Sequence, residues 1–172
     1  MDRRDRHGLT ALGLGVVALA TLSFPSPAQA GTAGSSLGVS ATVTASCTVS
    51  ASGISFGLVD PISGARVDAN GAISVTCTQG TAWVATAGAG SSPGATIAAR
   101  IMTSGGNLLI YSLYTDAART RIWGDGSLTT GTITGTGTGA PESRTIYGRI
   151  VSGQIGLVAG SYTDTTSVTV SY

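Results

Sequence analysis

The stretch GSYTDTTSVTVSY, residues 160–172, alternates between two sets of side chains with a period of two residues. One phase holds Tyr162, Asp164, Thr166, Val168, Val170 and Tyr172. Successive side chains of an extended strand point to opposite faces, so this alternation predicts a half-buried β-strand. We expect Val168, Val170 and Tyr172 to face a core, with Asp164 and Thr166 near the solvent-exposed end of the strand.

The same two-residue period recurs upstream through most of the chain. Apolar side chains alternate in residues 37–47, 54–58, 73–77, 83–87 and 146–150. Residues 107–114 are apolar on both phases, which predicts a central strand buried on two faces. Turn-forming pairs such as Asn70-Gly71 separate the runs, and no apolar stripe of helical period follows residue 30. About eight short strands at this spacing predict an all-β sandwich.

The first thirty residues have the organisation of an export signal. Arg3, Arg4 and Arg6 precede the apolar run 9–24, and Ala28-Gln29-Ala30 supplies the small residues of a signal peptidase site. We therefore predict a cleaved signal peptide over residues 1–30 and a mature chain that starts at Gly31.

The predicted mature chain carries no net charge. It has six arginines and six acidic residues, and the whole sequence lacks lysine. A nucleic-acid-binding protein needs a basic surface to hold the phosphate backbone. The composition therefore argues against a nucleic-acid partner.

The usual residues of catalysis and metal binding are sparse. His7 is the only histidine and lies in the predicted signal peptide, which removes Ser-His-Asp and Cys-His nucleophile systems and the commonest metal ligand. Asp125-Gly126-Ser127 lacks the regular oxygen ligands of a calcium loop, so a plain turn is the better interpretation. We predict that the protein is not an enzyme and needs no metal or cofactor.

The two tryptophans allow different interpretations. Trp83 lies in an alternating run and is expected in the core. Trp123 precedes the turn residues 124–126, where a sugar-stacking role is conceivable, although packing at the end of a sandwich is favoured.

Cys47 and Cys77 are the only cysteines of the chain. An exported protein meets an oxidising compartment, where an even pair usually forms a disulfide. We therefore predict a Cys47–Cys77 bond.

Four sequence segments together carry a family resemblance. They are FGLVDP (56–61), GAISVTCTQG (71–80), YSLYTDAARTRIWGDG (111–126) and GSYTDTTSVTVSY (160–172). Their order resembles the spore coat protein U domain, a family that includes the major subunits of archaic chaperone–usher pili. The resemblance covers essentially all of residues 31–172.

The resemblance implies an incomplete immunoglobulin-like β-sandwich that lacks one strand and leaves an apolar groove. In such pilins the N-terminal extension of a neighbouring subunit fills the groove, after a periplasmic chaperone has filled it and an outer-membrane usher has catalysed the exchange. The extension maps onto residues 31–45, the sandwich onto residues 46–172, and the family's paired cysteines onto Cys47 and Cys77. The donor face consists of Leu37, Val39, Ala41 and Val43.

The leading functional prediction is a structural subunit of a surface pilus that polymerises with copies of itself and supports adhesion and biofilm formation. It would be secreted through the periplasm to the cell surface. A spore- or cell-coat protein of the same fold is the alternative, and a carbohydrate-binding adhesin using Trp123 is a third. From the residues alone, segment 37–47 fits equally a donated strand and an ordinary first strand of its own sheet.

Overall fold

The computed structural model describes residues 28–127 and 129–172. All helical and strand elements in this part of the chain are β-strands, which confirms the predicted all-β class. They are β1 (Cys47–Ser52), β2 (Val67–Cys77), β3 (Ala82–Ala87), β4 (Arg100–Ser104), β5 (Asn107–Tyr114), β6 (Ile133–Thr136), β7 (Glu142–Ile150) and β8 (Val168–Ser171). The predicted signal peptide lies outside the described residues except for its last three.

The strands form two antiparallel sheets. The larger sheet has the order β1-β2-β7-β5-β4, and the smaller has the order β6-β3-β8. The alternating side chains of both sheets meet in one core, which is the sandwich arrangement. Its buried apolar members are Ile73, Val75, Cys77, Trp83, Ala85, Ala87, Leu109, Tyr111, Leu113, Trp123, Ile133, Ile146 and Ile150.

Strand β5 occupies the predicted residues but is buried on two faces only in part. Leu109, Tyr111 and Leu113 face the core, whereas Leu108 is 52% exposed and Ile110 is 38% exposed. The cause is that β7 pairs with β5 only as far as Tyr111. Beyond that point the side chain of Gln154 makes the backbone hydrogen bonds that a neighbouring strand would make. Gln154 Oε1 accepts a hydrogen bond from the Ile110 amide at 2.6 Å, and Gln154 Nε2 donates to the Ile110 carbonyl at 2.8 Å.

The pair Asn70-Gly71 is not the predicted turn, because both residues lie inside β2. Gly71 faces the core beneath Ile54, and a Cβ at Gly71 would stand 2.6 Å from Ile54 Cγ1. Asn70 faces outward and accepts a hydrogen bond from Arg119 at 3.0 Å. Close approach of another segment, rather than a change of chain direction, therefore explains the glycine.

Residues 54–58 are not a strand, although their apolar alternation suggested one. The chain leaves β1 after Ser52, Ile54 and Phe56 are half-buried, and Leu58 is fully exposed. The segment passes over the inner face of the larger sheet without joining it.

Strand β8 has the predicted phase over its length, but the phase does not extend to the last residue. Val168 and Val170 are half-buried against the core while Thr169 and Ser171 are exposed. Tyr172 lies beyond β8 and is 61% exposed, so its predicted core position is wrong. Asp164 and Thr166 are half-buried rather than at a solvent-exposed end.

Val170→Asp should destabilise the sandwich strongly. Val170 pairs with the fully buried Ala85 and packs on the core, so a carboxylate there would lose its hydration without a partner, at a cost of roughly 3 kcal/mol. Soluble yield and the urea midpoint should both fall sharply. The control Thr169→Asp introduces the same charge on the exposed face and should remain near wild type. Equal effects of the two substitutions would contradict the strand phase.

The described part of the chain contains no helix that could span a membrane.

Candidate functional site

A groove opens between the two sheets where β1 and β8 form neighbouring edges. β1 pairs only with β2, and β8 pairs only with β3, among the described residues. One wall of the groove is residues 51–56. The other is residues 162–171, of which 162–166 and 168 line the cavities and Val168–Ser171 are β8. An edge strand presents unpaired N–H and C=O groups, so the free edges of β1 and β8 are open to pairing with another strand.

The groove comprises two neighbouring cavities that share lining residues. The first has a volume of about 390 Å³ and the second about 630 Å³. Ile54, Phe56, Met102 and Tyr162 line both. The floor of the first cavity is made by core side chains, namely Ile73, Leu113, Trp123 and Ile146. The groove therefore reaches the hydrophobic core.

Two glycines shape the wall formed by residues 51–56. Ile54 lies over Gly71, and Phe56 lies over Gly148, where a Cβ would stand 2.9 Å from Phe56 Cζ. The Phe56 ring meets the Tyr111 ring edge-on at a centroid distance of 6.1 Å. The missing side chains let this segment lie close against the larger sheet.

The opposite wall holds a polar cluster built on Asp164. Its Oδ1 accepts hydrogen bonds from the Ser91 amide at 2.9 Å and the Ser91 hydroxyl at 2.8 Å. Its Oδ2 accepts from the Tyr111 hydroxyl at 2.7 Å, and that hydroxyl also lies 3.0 Å from Thr166 Oγ1. We call these four residues the Asp164 cluster.

The hydrogen bonds of the Asp164 cluster favour an ionised carboxylate and a neutral phenol. Burial acts to raise the pKa of Asp164, but hydrogen bonds from Tyr111 and Ser91 outweigh it, so that pKa lies below its ordinary value. Burial, together with the neighbouring Asp164 charge, raises the pKa of Tyr111 to about 12. The groove wall therefore carries a fixed negative charge near neutral pH.

Arg100 is a fully buried residue that sequence reasoning missed. Its guanidinium donates to the carbonyls of Gly88, Ile97 and Trp123, each at 2.8 Å, and more weakly to Ala87 at 3.5 Å. Burial lowers the pKa of Arg100, while Tyr111 and Asp164 act in the opposite direction. Arg100 thus ties the segments beside the Asp164 cluster to the core.

The predicted donor residues lie in a segment without strand structure. Residues 28–46 form no strand and all are exposed. Leu37 is 88% exposed, Val39 87% and Val43 85%, and Ala41 is also exposed. Only Cys47 of the run 37–47 belongs to a strand, which disagrees with the alternative that the whole run is an ordinary first strand.

The disulfide is formed at the point where this segment enters the sandwich. Cys47 and Cys77 are bonded and stand opposite each other at the ends of β1 and β2. Next to them the Thr78 amide donates to the Ser46 carbonyl at 2.9 Å. The prediction of the bond is confirmed, and β1 is fixed at its first residue.

The other residues that the sequence suggested for ligand or metal binding contribute to the fold instead. Trp123 is 2% exposed and its Nε1 donates to the Ala85 carbonyl at 3.1 Å, so the sugar-stacking interpretation is wrong. Asp125 accepts from the Ser127 amide at 2.9 Å in a plain turn, as predicted. Within the described ranges no cluster of three or more His, Cys, Asp or Glu side chains could hold a metal ion.

The two sheets and the groove define the class of protein: an immunoglobulin-like β-sandwich in which one strand position is open. The chain belongs to the Spore Coat Protein U domain family, whose model matches residues 33–169, as the sequence resemblance predicted. Protein U of Myxococcus xanthus is 33% identical over 173 aligned residues, which cover 91% of this chain and 94% of that protein.

A solved structure has a similar fold. It is the crystal structure of the CsuC–CsuE chaperone–tip adhesion subunit pre-assembly complex from the archaic chaperone–usher Csu pili of Acinetobacter baumannii. The TM-score is 0.58 at 20% identity, and the match covers 76% of this chain and 41% of that chain. At this identity the similarity establishes the fold.

Proposed function

We propose that the protein is a structural subunit of a bacterial surface pilus and that its subunits are joined by strand donation. The observation that carries this proposal is the groove reaching the core between two unpaired strand edges. Residues 31–46 of a second copy would fill the groove and pair with β8, which is the β-augmentation mode of recognition.

The length and pattern of residues 31–46 suit this role. Sixteen residues span about 53 Å when fully extended, which exceeds the ten-residue wall 162–171 at about 33 Å. Leu37, Val39, Ala41 and Val43 supply one apolar face for the groove floor. Burial of these four side chains would contribute at most roughly 4–9 kcal/mol, with ladder hydrogen bonds in addition.

The proposal includes two further partners. A groove that reaches the core needs a temporary occupant before polymerisation, and a periplasmic chaperone is the proposed one. An outer-membrane usher would then exchange the chaperone for the next subunit. The fold similarity to a chain from a chaperone–subunit complex supports this assignment. We propose export to the cell surface, a contribution to adhesion and biofilm formation, and no catalytic or cofactor-dependent step.

A coat protein of the same fold is the second candidate. It is favoured by the 33% identity to Protein U of Myxococcus xanthus and by the family description. In that role the subunits would assemble on a spore or cell surface without a dedicated usher. If fibres assemble only when the chaperone and the usher are both present, the protein is a pilus subunit. Assembly without the usher would favour the coat protein.

Removal of residues 31–43 should abolish polymerisation, because no subunit could then fill the groove of its neighbour. The truncated chain, co-expressed with the chaperone and the usher, should be recovered as a chaperone-bound subunit, with no fibres visible by electron microscopy. A synthetic peptide of residues 31–45 should displace the chaperone and yield a soluble complemented monomer, because it supplies the strand without a second body.

The matched control is a peptide in which Val39 is replaced by aspartate, which should not displace the chaperone. Fibres that form normally from the truncated chain would overturn strand donation by this segment. A truncated chain that unfolds even in complex with the chaperone would indicate that residues 31–43 belong to their own subunit.

A further inference from the structure

We infer that Asp164 sets the register of the donated strand, by favouring the small side chain of Ala41 opposite it. This inference rests on the proposed function, since it assumes that residues 31–46 of a second copy enter the groove. It adds a specificity-determining contact that neither the fold nor the apolar pattern of the donor requires.

The Asp164 carboxylate is held rigidly in the wall of the groove. Both of its oxygens accept hydrogen bonds, from Ser91 and from Tyr111, and Tyr111 is itself buried. Gly90 lies so close that a side chain there would collide with the carboxylate. Asp164 therefore has no room to turn away from an incoming strand, and the strand has to accommodate it.

The wall has a pattern of polarity along its inward face. Residues of one phase are half-buried and residues of the other phase are exposed from 161 to 171. The half-buried positions are, in order, Tyr162, Asp164, Thr166, Val168 and Val170. Among these five side chains only Asp164 is charged. The others are aromatic or aliphatic or, at Thr166, carry a methyl group.

The donor segment has a matching interruption. Its apolar face is large at Leu37 and Val39, small at Ala41 and branched again at Val43. A shift of two residues keeps the same face towards the groove, so the apolar pattern alone permits several registers. A valine opposite Asp164 would strip water from the carboxylate and give it no new partner, whereas the methyl group of alanine leaves space for hydration.

Ala41 opposite Asp164 avoids this conflict for either direction of the donated strand. Val39 and Val43 then lie beside Tyr162 and Thr166. The direction of the donated strand decides which of the two lies beside which. Ala45 is the other small residue of this face, but it lies two residues before Cys47, which the disulfide fixes to β2. Placing Ala45 at Asp164 would put Cys47, and with it the body of the donor subunit, beside Tyr162 or Thr166 inside the groove.

Solid-state NMR on fibres of the full chain tests the register directly. Fibres grown from a mixture of differently labelled subunits report contacts between subunits only. We expect a contact between Ala41 Cβ and Asp164 Cγ. A contact from Val39 or Val43 to Asp164 in its place would overturn the inference while leaving strand donation intact.

Substitution at Ala41 provides the second readout. Ala41→Val should lower the yield of fibres at least tenfold, and the matched substitution Ala45→Val should change it less than twofold. Because position 41 is exposed in the free subunit, disulfide-bonded soluble subunit should be recovered equally from both variants. Ala41→Val chains that assemble like wild type would contradict the inference, and wild-type chains that never form fibres would overturn both proposals.

Discussion

Val39→Asp is expected to abolish fibre assembly while leaving the soluble subunit intact. Val39 is 87% exposed in the free chain, so a charge there costs the isolated subunit little. In the groove the same carboxylate would lie against a floor that includes Leu113 and Ile146, and it would lose its hydration without gaining a partner. A penalty of about 4 kcal/mol corresponds to roughly thousandfold weaker capture of the strand.

The measurement is the ratio of polymer to chaperone-bound subunit, by sedimentation and electron microscopy, in cells that also express the chaperone and the usher. Ser40→Asp is the matched control, because residue 40 belongs to the opposite phase of the extended segment and would point away from the floor. Its assembly should stay within a few-fold of wild type. Equal assembly of the two variants would mean that residues 37–43 do not enter a groove with this face.

Apolar alternation located β2, β3, β7 and β8 because it reflects contact with the core directly. Residues 73–77, 83–87 and 146–150 were predicted as strands from their inward side chains, and they lie in β2, β3 and β7. Each inward position has to be apolar whichever strand lies beside it, so local sequence carries the signal. The disulfide was equally predictable, because only two cysteines were available to form it.

Features that depend on a distant segment were not predictable in the same way. Gly71 is a turn residue by its local sequence, yet its function in the fold is to let Ile54 approach β2. The exposure of Ile110 depends on where β7 ends, and Gln154 meets its backbone from 44 residues away. Both outcomes follow from sheet topology, which a period of two residues does not specify.

The groove wall illustrates the same limit at the candidate site. The C-terminal alternation gave the correct phase for residues 162–170, and so placed Asp164 on the same face as Val168 and Val170. It did not indicate that Tyr111 and Ser91 would hold the carboxylate, because both residues lie more than fifty positions upstream. A carboxylate was therefore predicted at a solvent-exposed end and is found in the groove.

Arg100→Met is expected to lower the free energy of unfolding by about 3 kcal/mol. Arg100 is completely buried, and the carbonyls of Gly88, Ile97 and Trp123 each accept a hydrogen bond from it at 2.8 Å. Methionine fills a similar volume but leaves those carbonyls without a donor, at a cost of about 1–3 kcal/mol for each group that water cannot reach. Removing the buried charge recovers part of that cost, so the net loss is smaller than the sum.

Thermal unfolding of the oxidised full chain measures this effect, and a loss of that size should lower the Tm by roughly 10 °C. Arg66→Met is the matched control, since Arg66 is exposed and the same change there should shift the Tm by no more than about 2 °C. Arg100→Lys should fall between the two, because an ammonium group keeps the charge but cannot reproduce the planar fork that reaches three segments at once. If Arg100→Met and Arg66→Met unfold at the same temperature, the guanidinium does not hold these segments together, and the rigidity assigned to the wall beside Asp164 must come from Tyr111 and Ser91 alone.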